Sequence, residues 1–437
     1  MVSFTGTVVA VLHQTCTGPK IYLLLKRPDE IKRVGVSVMS RYFVEYFTVG
    51  ILLRLLCLNF APLPVLQSIG HAANEDWSRL KEEVTIFRNP NVINGSPAIA
   101  QPPLYLVLWK VFDFAHYERI ILPALECLGF LVFLSFDSVK VGARIPLCAY
   151  PLSVFVFAFN PFSVFAFGNH SVGIVPVILT ALIFIALAKD RTLIASVLCG
   201  VGSYINIYPS YLMLAVLAQC RNCKSRVFSS LIAFTLTLAG LLFSTYYFEN
   251  SWSFLRYCYI SNIYARNTTP NLGLFWYMYV EMFAHFNVFF VWTMQLIIFG
   301  LCFGLLFRFY EDPLFLALLL TMTTGVLRPY NSVADLGCSL ALLMHWRHIF
   351  IYFKNTFILS VLAAVALILA PLFYLTWLHT GTSNANFYFS ASLIIGIVRV
   401  QLLIQTISAY LRYQFHQKFG PQPCLSTGTK IVPCIRS

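Results

Sequence analysis

From Tyr42 to Leu411 the chain is a succession of apolar runs, most of them near the ~20 residues that cross a bilayer, each ended by a turn or a short basic cluster. Lipid offers the backbone no hydrogen bonds, so every N–H and C=O at that depth must be satisfied within the protein. Helices do this segment by segment. The pattern therefore predicts an all-α, polytopic membrane protein of about 10–12 transmembrane helices. Composition agrees: 59% of residues are hydrophobic and 11% charged, against roughly 25% charged in a soluble domain. Mean hydropathy is +0.75. No repeat of fixed period and no soluble domain is visible.

The net charge of +13 belongs to the loops and the ends. Residues 1–41 and 412–437 together supply +8 of it. The rest sits in Lys189/Arg191, Arg221/Lys224/Arg226 and Arg347/Lys354, which is the positive-inside pattern. No basic stripe with interleaved aromatics lies on a soluble segment, which argues against a nucleic-acid partner. Residues 1–41 are expected to be a disordered basic extension, and 42–411 a single multispan domain. Residues 412–437 are expected to be a basic cytosolic tail.

The first span, Tyr42–Pro62, carries Glu45 and Arg54, both expected to face protein. The polar loop at 63–103 contains an amphipathic stretch with Trp77, Leu80, Val84 and Phe87 on one side, read as a helix lying on the membrane surface. Asn160-Pro161 breaks the run 145–167. Thr192–Gln219 has basic clusters at both ends and Asn206-Ile207-Tyr208-Pro209 at its centre. It reads either as two half-helices meeting at that break or as one helix kinked at Pro209. A second polar break, Arg328-Pro329-Tyr330-Asn331-Ser332, separates two later runs.

No nucleophile elbow, phosphate-binding loop, HExxH or paired Cys-x-x-Cys motif occurs, so no cofactor or metal is expected. Cys220 and Cys223 have the spacing once, in a basic loop. Polar groups cluster elsewhere. Thr269–Phe290 opens with a turn, passes through the aromatic band Phe275-Trp276-Tyr277, and places Glu281 and His285 four residues apart, on one face if helical. Such a pair can simply hydrogen-bond across helices. Asn384 and Asn386 precede the final span. They read as a helix cap, or as two amides that bind a polar lipid headgroup without burying charge.

Thr269-Pro270-Asn271-x-Gly273-Leu274-Phe275-Trp276-Tyr277 and Glu281-Met282-Phe283-x-His285-Phe286 closely resemble one family, the class U subunit (PIG-U) of glycosylphosphatidylinositol (GPI) transamidase. Gly381-x-x-Asn384-x-Asn386-Phe387, Asn160-Pro161-Phe162 and Tyr204-x-x-x-Tyr208-Pro209 resemble it too. The likeness runs from about Tyr42 to Phe415. It implies a multi-pass subunit of the endoplasmic reticulum membrane, in a complex that joins GPI to the C-terminus of precursor proteins. It implies that catalysis lies in a separate caspase-like subunit, while this one binds the GPI lipid and helps scaffold the others. The family's fold is similar to that of GT-C glycosyltransferases. The residues expected to contact GPI are Asn384, Asn386 and Phe387, with Glu281, His285, Trp276 and Tyr277.

That fold supplies the main rival, a GPI mannosyltransferase with a dolichol-linked donor. Such an enzyme needs a carboxylate in the first lumenal loop. Residues 88–95 hold no acid, and Glu75 and Asp76 read as poorly placed ahead of the surface helix. A transporter built on broken helices would show related halves, and none are seen.

Overall fold

The computed structural model describes residues 44–56, 75–88, 99–111, 117–139, 152–264 and 269–420. The extension 1–41 and the tail beyond Gly420 lie outside them, as do Asn94 and Asn267, each the first residue of an Asn-x-Ser/Thr glycosylation sequon. Helix α1 spans 44–56. Then come α2 (Trp77–Arg88), α3 (Pro103–Val111), α4 (Glu118–Asp137), α5 (Leu152–Phe159), α6 (Pro161–Gly168), α7 (Ile174–Ala188) and α8 (Thr192–Ile205). A 3-10 turn, Tyr208–Leu212, leads into α9 (Met213–Cys220) and α10 (Lys224–Glu249). A π-helical turn, Leu255–Ile260, and a helical turn, Ser261–Ile263, follow; then come α11 (Trp276–Glu281), α12 (Ala284–Phe309), α13 (Pro313–Leu327), α14 (Val333–Leu343), a 3-10 stretch to Tyr352, α15 (Thr356–Leu378) and α16 (Ala385–Phe419). Among the described residues, five helices (α4, α10, α12, α15 and α16) are long and apolar enough to cross a membrane alone. The other apolar runs are shorter helices joined at polar breaks.

Two of those breaks share one construction. Pro161 has no N–H to give the Phe157 carbonyl, so α5 ends there. Asn160 caps α6 by accepting from Phe162 N–H at 2.9 Å, which diverts that donor from the Ala158 carbonyl. Arg54 of α1 takes both freed carbonyls, at 3.0 Å from Phe157 O and 2.8 Å from Ala158 O. Its Nε pairs with Glu126 of α4 at 2.7 Å. At the other break Pro329 cannot donate to Gly325 O. Arg399 of α16 does so at 2.8 Å, and also donates to Ser332 O at 2.6 Å and to Asn331 Oδ1. Asn331 in turn donates to Val326 O. Both arginines are buried, 1% and 3% exposed. Arg54 thus faces protein as its sequence position predicts. Glu45 does not: it sits in the first turn of α1 and is exposed, because only the Arg54 side of α1 packs on α4 and α5.

The Thr192–Gln219 run is two half-helices. Asp190, at its start, accepts from Gln219 Nε2 at 2.9 Å and pairs with Arg226 at 2.8 Å. Both ends therefore lie on one basic face, with the Asn206-Ile207 break far from it. The Arg226 hydrogen bond holds the Asp190 carboxyl below the usual range. Helices α13 and α14 form a second such hairpin. Gln414 near the end of α16 binds Asp312 at the start of α13, at 3.0 Å, and His416 meets Tyr352 just beyond α14, at 3.0 Å. Arg221 donates to Tyr310 O at 2.6 Å, tying the open ends of the two hairpins together. Helix α13 is the centre of the bundle: every residue from Phe315 to Leu320 is at most 1% exposed.

Helix α2 has the apolar face read from sequence. What covers it is protein: Trp77, Leu80 and Val84 pack with Tyr105, Leu106, Trp109, Leu122 and Phe167. Glu83 on the same helix accepts from the N–H groups of Ala100 and Gln101 at 3.2 and 3.1 Å, and from Arg79 at 3.1 Å. Burial pushes its carboxyl above the ordinary value of about 4.5, against the pull of those donors. Glu83→Ala orphans a buried N–H at Ala100 and a half-buried one at Gln101 and is expected to cost about 2–3 kcal/mol, read as a lowered thermal midpoint in detergent. A carboxyl raised on folding contributes stability below its unfolded value and loses it as pH rises through the folded one. The penalty should therefore shrink from pH 4 toward pH 7.

Candidate lipid-headgroup site and the inner cleft

The stretch from Thr269 to His285 lies across α15 and α16. Asn271 is buried and accepts from Gly273 N–H at 2.7 Å, closing the turn. Gly273 sits against the 328–332 break; a Cβ there would stand 2.8 Å from Asn331 Cβ, so no larger residue fits. Leu274 fills the notch left by Gly396 of α16. Trp276, 4% exposed, packs on Tyr388 at 5.9 Å, Phe389 at 6.1 Å and Trp377 at 6.4 Å between ring centroids. Tyr277 stacks on Phe389 at 4.7 Å. The aromatic band is thus the clamp that holds this stretch to the tips of α15 and α16.

Asn384 is the N-cap of α16, its side chain accepting from Asn386 N–H at 3.2 Å. The Asn386 side chain is exposed and makes no hydrogen bond among the described residues. Phe387 is half exposed and leans on Phe373 at 5.5 Å. Glu281 and His285 are exposed as well, but they do not share a helical face. Helix α11 ends at Glu281, Met282 and Phe283 are extended, and α12 begins at Ala284. His285 instead lies between Phe283 and Phe286. The structure brings Trp276 and Tyr277 to the α16 tip that carries Asn384, Asn386 and Phe387. Glu281 follows one turn after Tyr277, and His285 opens the next helix.

A second polar locus lies inside the bundle. Glu75 is 9% exposed and lines a cleft with Gln101, Asn206, Tyr208, Asn262 and Tyr330. Sequence reading placed this acid poorly. Its position follows from the pairing of 75–76 with the chain after α6: Val172 N–H donates to Glu75 O at 2.8 Å, and Asp76 bridges Ser171. The carboxylate is engaged by Arg328 at 3.2 Å, and Arg328 also pairs with Asp335. Arg399 lies beside them, so the buried cluster holds two cations and two anions. Arg399 was invisible as a functional candidate, although a lone arginine in an apolar run is the signal that marks one. Among the described residues, no group of three or more His, Cys, Asp or Glu could hold a metal.

A family model described as "GPI transamidase subunit PIG-U" matches residues 48–395. The chain is 25% identical over 338 residues to the Saccharomyces cerevisiae protein named GPI transamidase component GAB1, covering 77% of this chain and 85% of that one. It is 25% identical over 299 residues to the human GPI-anchor transamidase component PIGU, covering 65% and 69%. A Schizosaccharomyces pombe protein named GPI transamidase component GAB1 homolog is 31% identical over 192 residues, 44% and 46% of the two chains.

Proposed function

The chain belongs to the family of GPI transamidase subunits described as PIG-U, and from that premise we propose that it binds the GPI lipid and presents it to a catalytic subunit. It is a multi-pass component of the GPI transamidase complex. The finer reading places the complex in the endoplasmic reticulum membrane and catalysis in a separate caspase-like chain. It makes Asn384, Asn386 and Phe387, flanked by Trp276, Tyr277, Glu281 and His285, the contact for the lipid headgroup.

One observation carries this reading. The Asn386 amide projects unengaged from a helix tip that the family's longest motif is built to brace. An amide donates and accepts without the cost of burying charge, which suits a headgroup at the membrane surface. The mannosyltransferase alternative has less support: the carboxylate that reaches the inner cleft is already ion-paired with Arg328.

The test is complementation in cells lacking the endogenous subunit. Asn384→Ala with Asn386→Ala is expected to lower GPI attachment roughly tenfold, for one or two lost hydrogen bonds, while the complex still assembles. Asn384→Ala also removes a cap worth about 1 kcal/mol, so Asn384→Ser, which keeps a capping oxygen, is the control. Wild-type attachment by the double variant overturns the reading.

A further inference from the structure

At the corner where the 3-10 stretch before α15 meets the end of α16, the chain carries positive charge that it never balances. No Asp or Glu occurs after Asp335, whereas seven Lys or Arg do. Of these, Arg347, Lys354 and Lys418 are exposed and pair with no carboxylate among the described residues. Two contacts gather them. Tyr352 meets His416 at 3.0 Å, and His348 packs on Tyr413 with ring centroids 4.5 Å apart. Lys354 and Lys418 each follow the first pair by two residues, and Arg347 precedes His348. The acids of the adjoining α12–α13 turn are engaged: Glu311 accepts from Tyr310 Oη at 3.3 Å and Asp312 from Gln414 at 3.0 Å. The sequence beyond α16 brings Lys430 and Arg436 and no acid, so it adds to the charge.

The same corner is apolar between its cations. Trp346 and Ile349 are buried and seat the 3-10 stretch in the bundle, Trp346 against Phe315 of α13. Ile351 is left outward, 81% exposed. Asn355 adopts the left-handed conformation that asparagine tolerates and turns the chain into α15. The first turn of α15 shows Phe357, 78% exposed. Lys354 stands three residues from each of these apolar side chains. Cations set among exposed apolar groups suit the boundary between lipid headgroups and acyl chains. From that boundary Phe357, Val361, Val365 and Ile368 run down one face of α15, three or four residues apart and all exposed. They cover about 16 Å at 1.5 Å per residue, close to half of the ~30 Å hydrocarbon core. That is the depth of one leaflet.

An occupant of this corner has to bring negative charge and hydrocarbon together. A soluble anion, or an acidic protein segment, answers the cations but leaves Ile351 and Phe357 in water. A neutral lipid covers the apolar side chains and leaves the cations unanswered. A phospholipid whose headgroup carries net negative charge does both.

We propose that this corner binds an anionic phospholipid of the leaflet on the basic side, its headgroup held by Arg347 and Lys354 and an acyl chain laid along the Phe357–Ile368 stripe. The site is separate from the Asn386 contact: α16 runs about 45 Å from Asn386 to His416. A lipid held here fixes the depth at which α15 and α16 sit in the bilayer.

The test titrates detergent-purified complex containing the full chain with fluorescent phosphatidylserine and, separately, with fluorescent phosphatidylcholine, with glycerophosphoserine, which lacks acyl chains, and with a polyglutamate peptide. Each cation facing an anionic headgroup strengthens binding about fivefold. Arg347→Gln with Lys354→Gln is therefore expected to weaken phosphatidylserine binding about 25-fold, with phosphatidylcholine binding and the thermal midpoint unchanged. Arg347→Lys with Lys354→Arg keeps both charges and should bind within about twofold of wild type. Lys189→Gln with Lys224→Gln, two exposed cations elsewhere on the basic face, should leave binding unchanged. Unchanged phosphatidylserine affinity in the corner variant overturns the site. So does an equal loss in the Lys189/Lys224 control, which would mean diffuse attraction to the whole face. Glycerophosphoserine or polyglutamate binding that depends on Arg347 and Lys354, with no effect on phosphatidylserine, would assign the corner to a soluble anion or to an acidic protein segment and overturn the lipid.

Discussion

Replacing Arg399 with leucine is expected to destabilise the protein by about 3–5 kcal/mol, the usual cost of deleting one partner from a buried charged cluster. Three acceptors lose their donor at once: Gly325 O, Ser332 O and Asn331 Oδ1. One of them, Gly325 O, has no alternative, because the residue four positions on is Pro329. The charge balance also fails, leaving Arg328 alone between Glu75 and Asp335. Arg399→Lys should recover little, since a single ammonium cannot reach three acceptors in a fixed fork. Adding Asp335→Asn to Arg399→Leu should recover about 1–2 kcal/mol, because the two sites share partners and do not behave additively. Thermal midpoints in detergent read all three. An Arg399→Leu protein as stable as wild type would show that the α13–α14 break holds without it.

The second large effect is at Arg54. Arg54→Met strands the Glu126 carboxylate, 4% exposed, leaves the Ala158 carbonyl bare and leaves the Phe157 carbonyl with Ser163 Oγ alone. The expected cost is again about 3–5 kcal/mol. Here the double variant is more informative than the single. Arg54→Met with Glu126→Leu removes the stranded charge and should regain much of the loss. It should not reach wild type, because the Ala158 carbonyl, at about 1–3 kcal/mol, remains unpaired. Full recovery would mean that Arg54 serves only Glu126 and that the Asn160-Pro161 break needs no outside donor.

These two sites also explain what the sequence could show. The breaks were legible because their causes are local: a proline without its N–H, an asparagine able to cap, basic residues at both ends of an apolar run. The half-helices of 192–219, the end of α5 and the Asn384 cap all follow from chemistry within a few residues. The arginines that mend two of the breaks come from 104 and 74 residues away; each stands out as a cation in an apolar run, but which break it serves is set only by the packing. The burial of Glu75 in the cleft is unreadable for the same reason, since its place is set by the chain around Ser171–Val172. Glu281 and His285 were misjudged for a different one. Met282 and Phe283 carry neither glycine nor proline, yet they are extended. The helix is interrupted where its aromatic residues are gripped by α15 and α16, and four-residue spacing could not reveal that. Of the candidate site, the aromatic band and the amide pair were therefore readable as residues, and their mutual arrangement only from tertiary packing.

The two hairpins settle a matter of parity. Each enters from the basic face and returns to it, so each contributes an even number to the count that decides which side the next segment occupies. Excising 192–219 or 313–343 as a unit should leave every downstream loop on its native side. Excising α8 alone, or α13 alone, leaves a half-helix too short to cross by itself, so the hairpin rather than the topology downstream should fail.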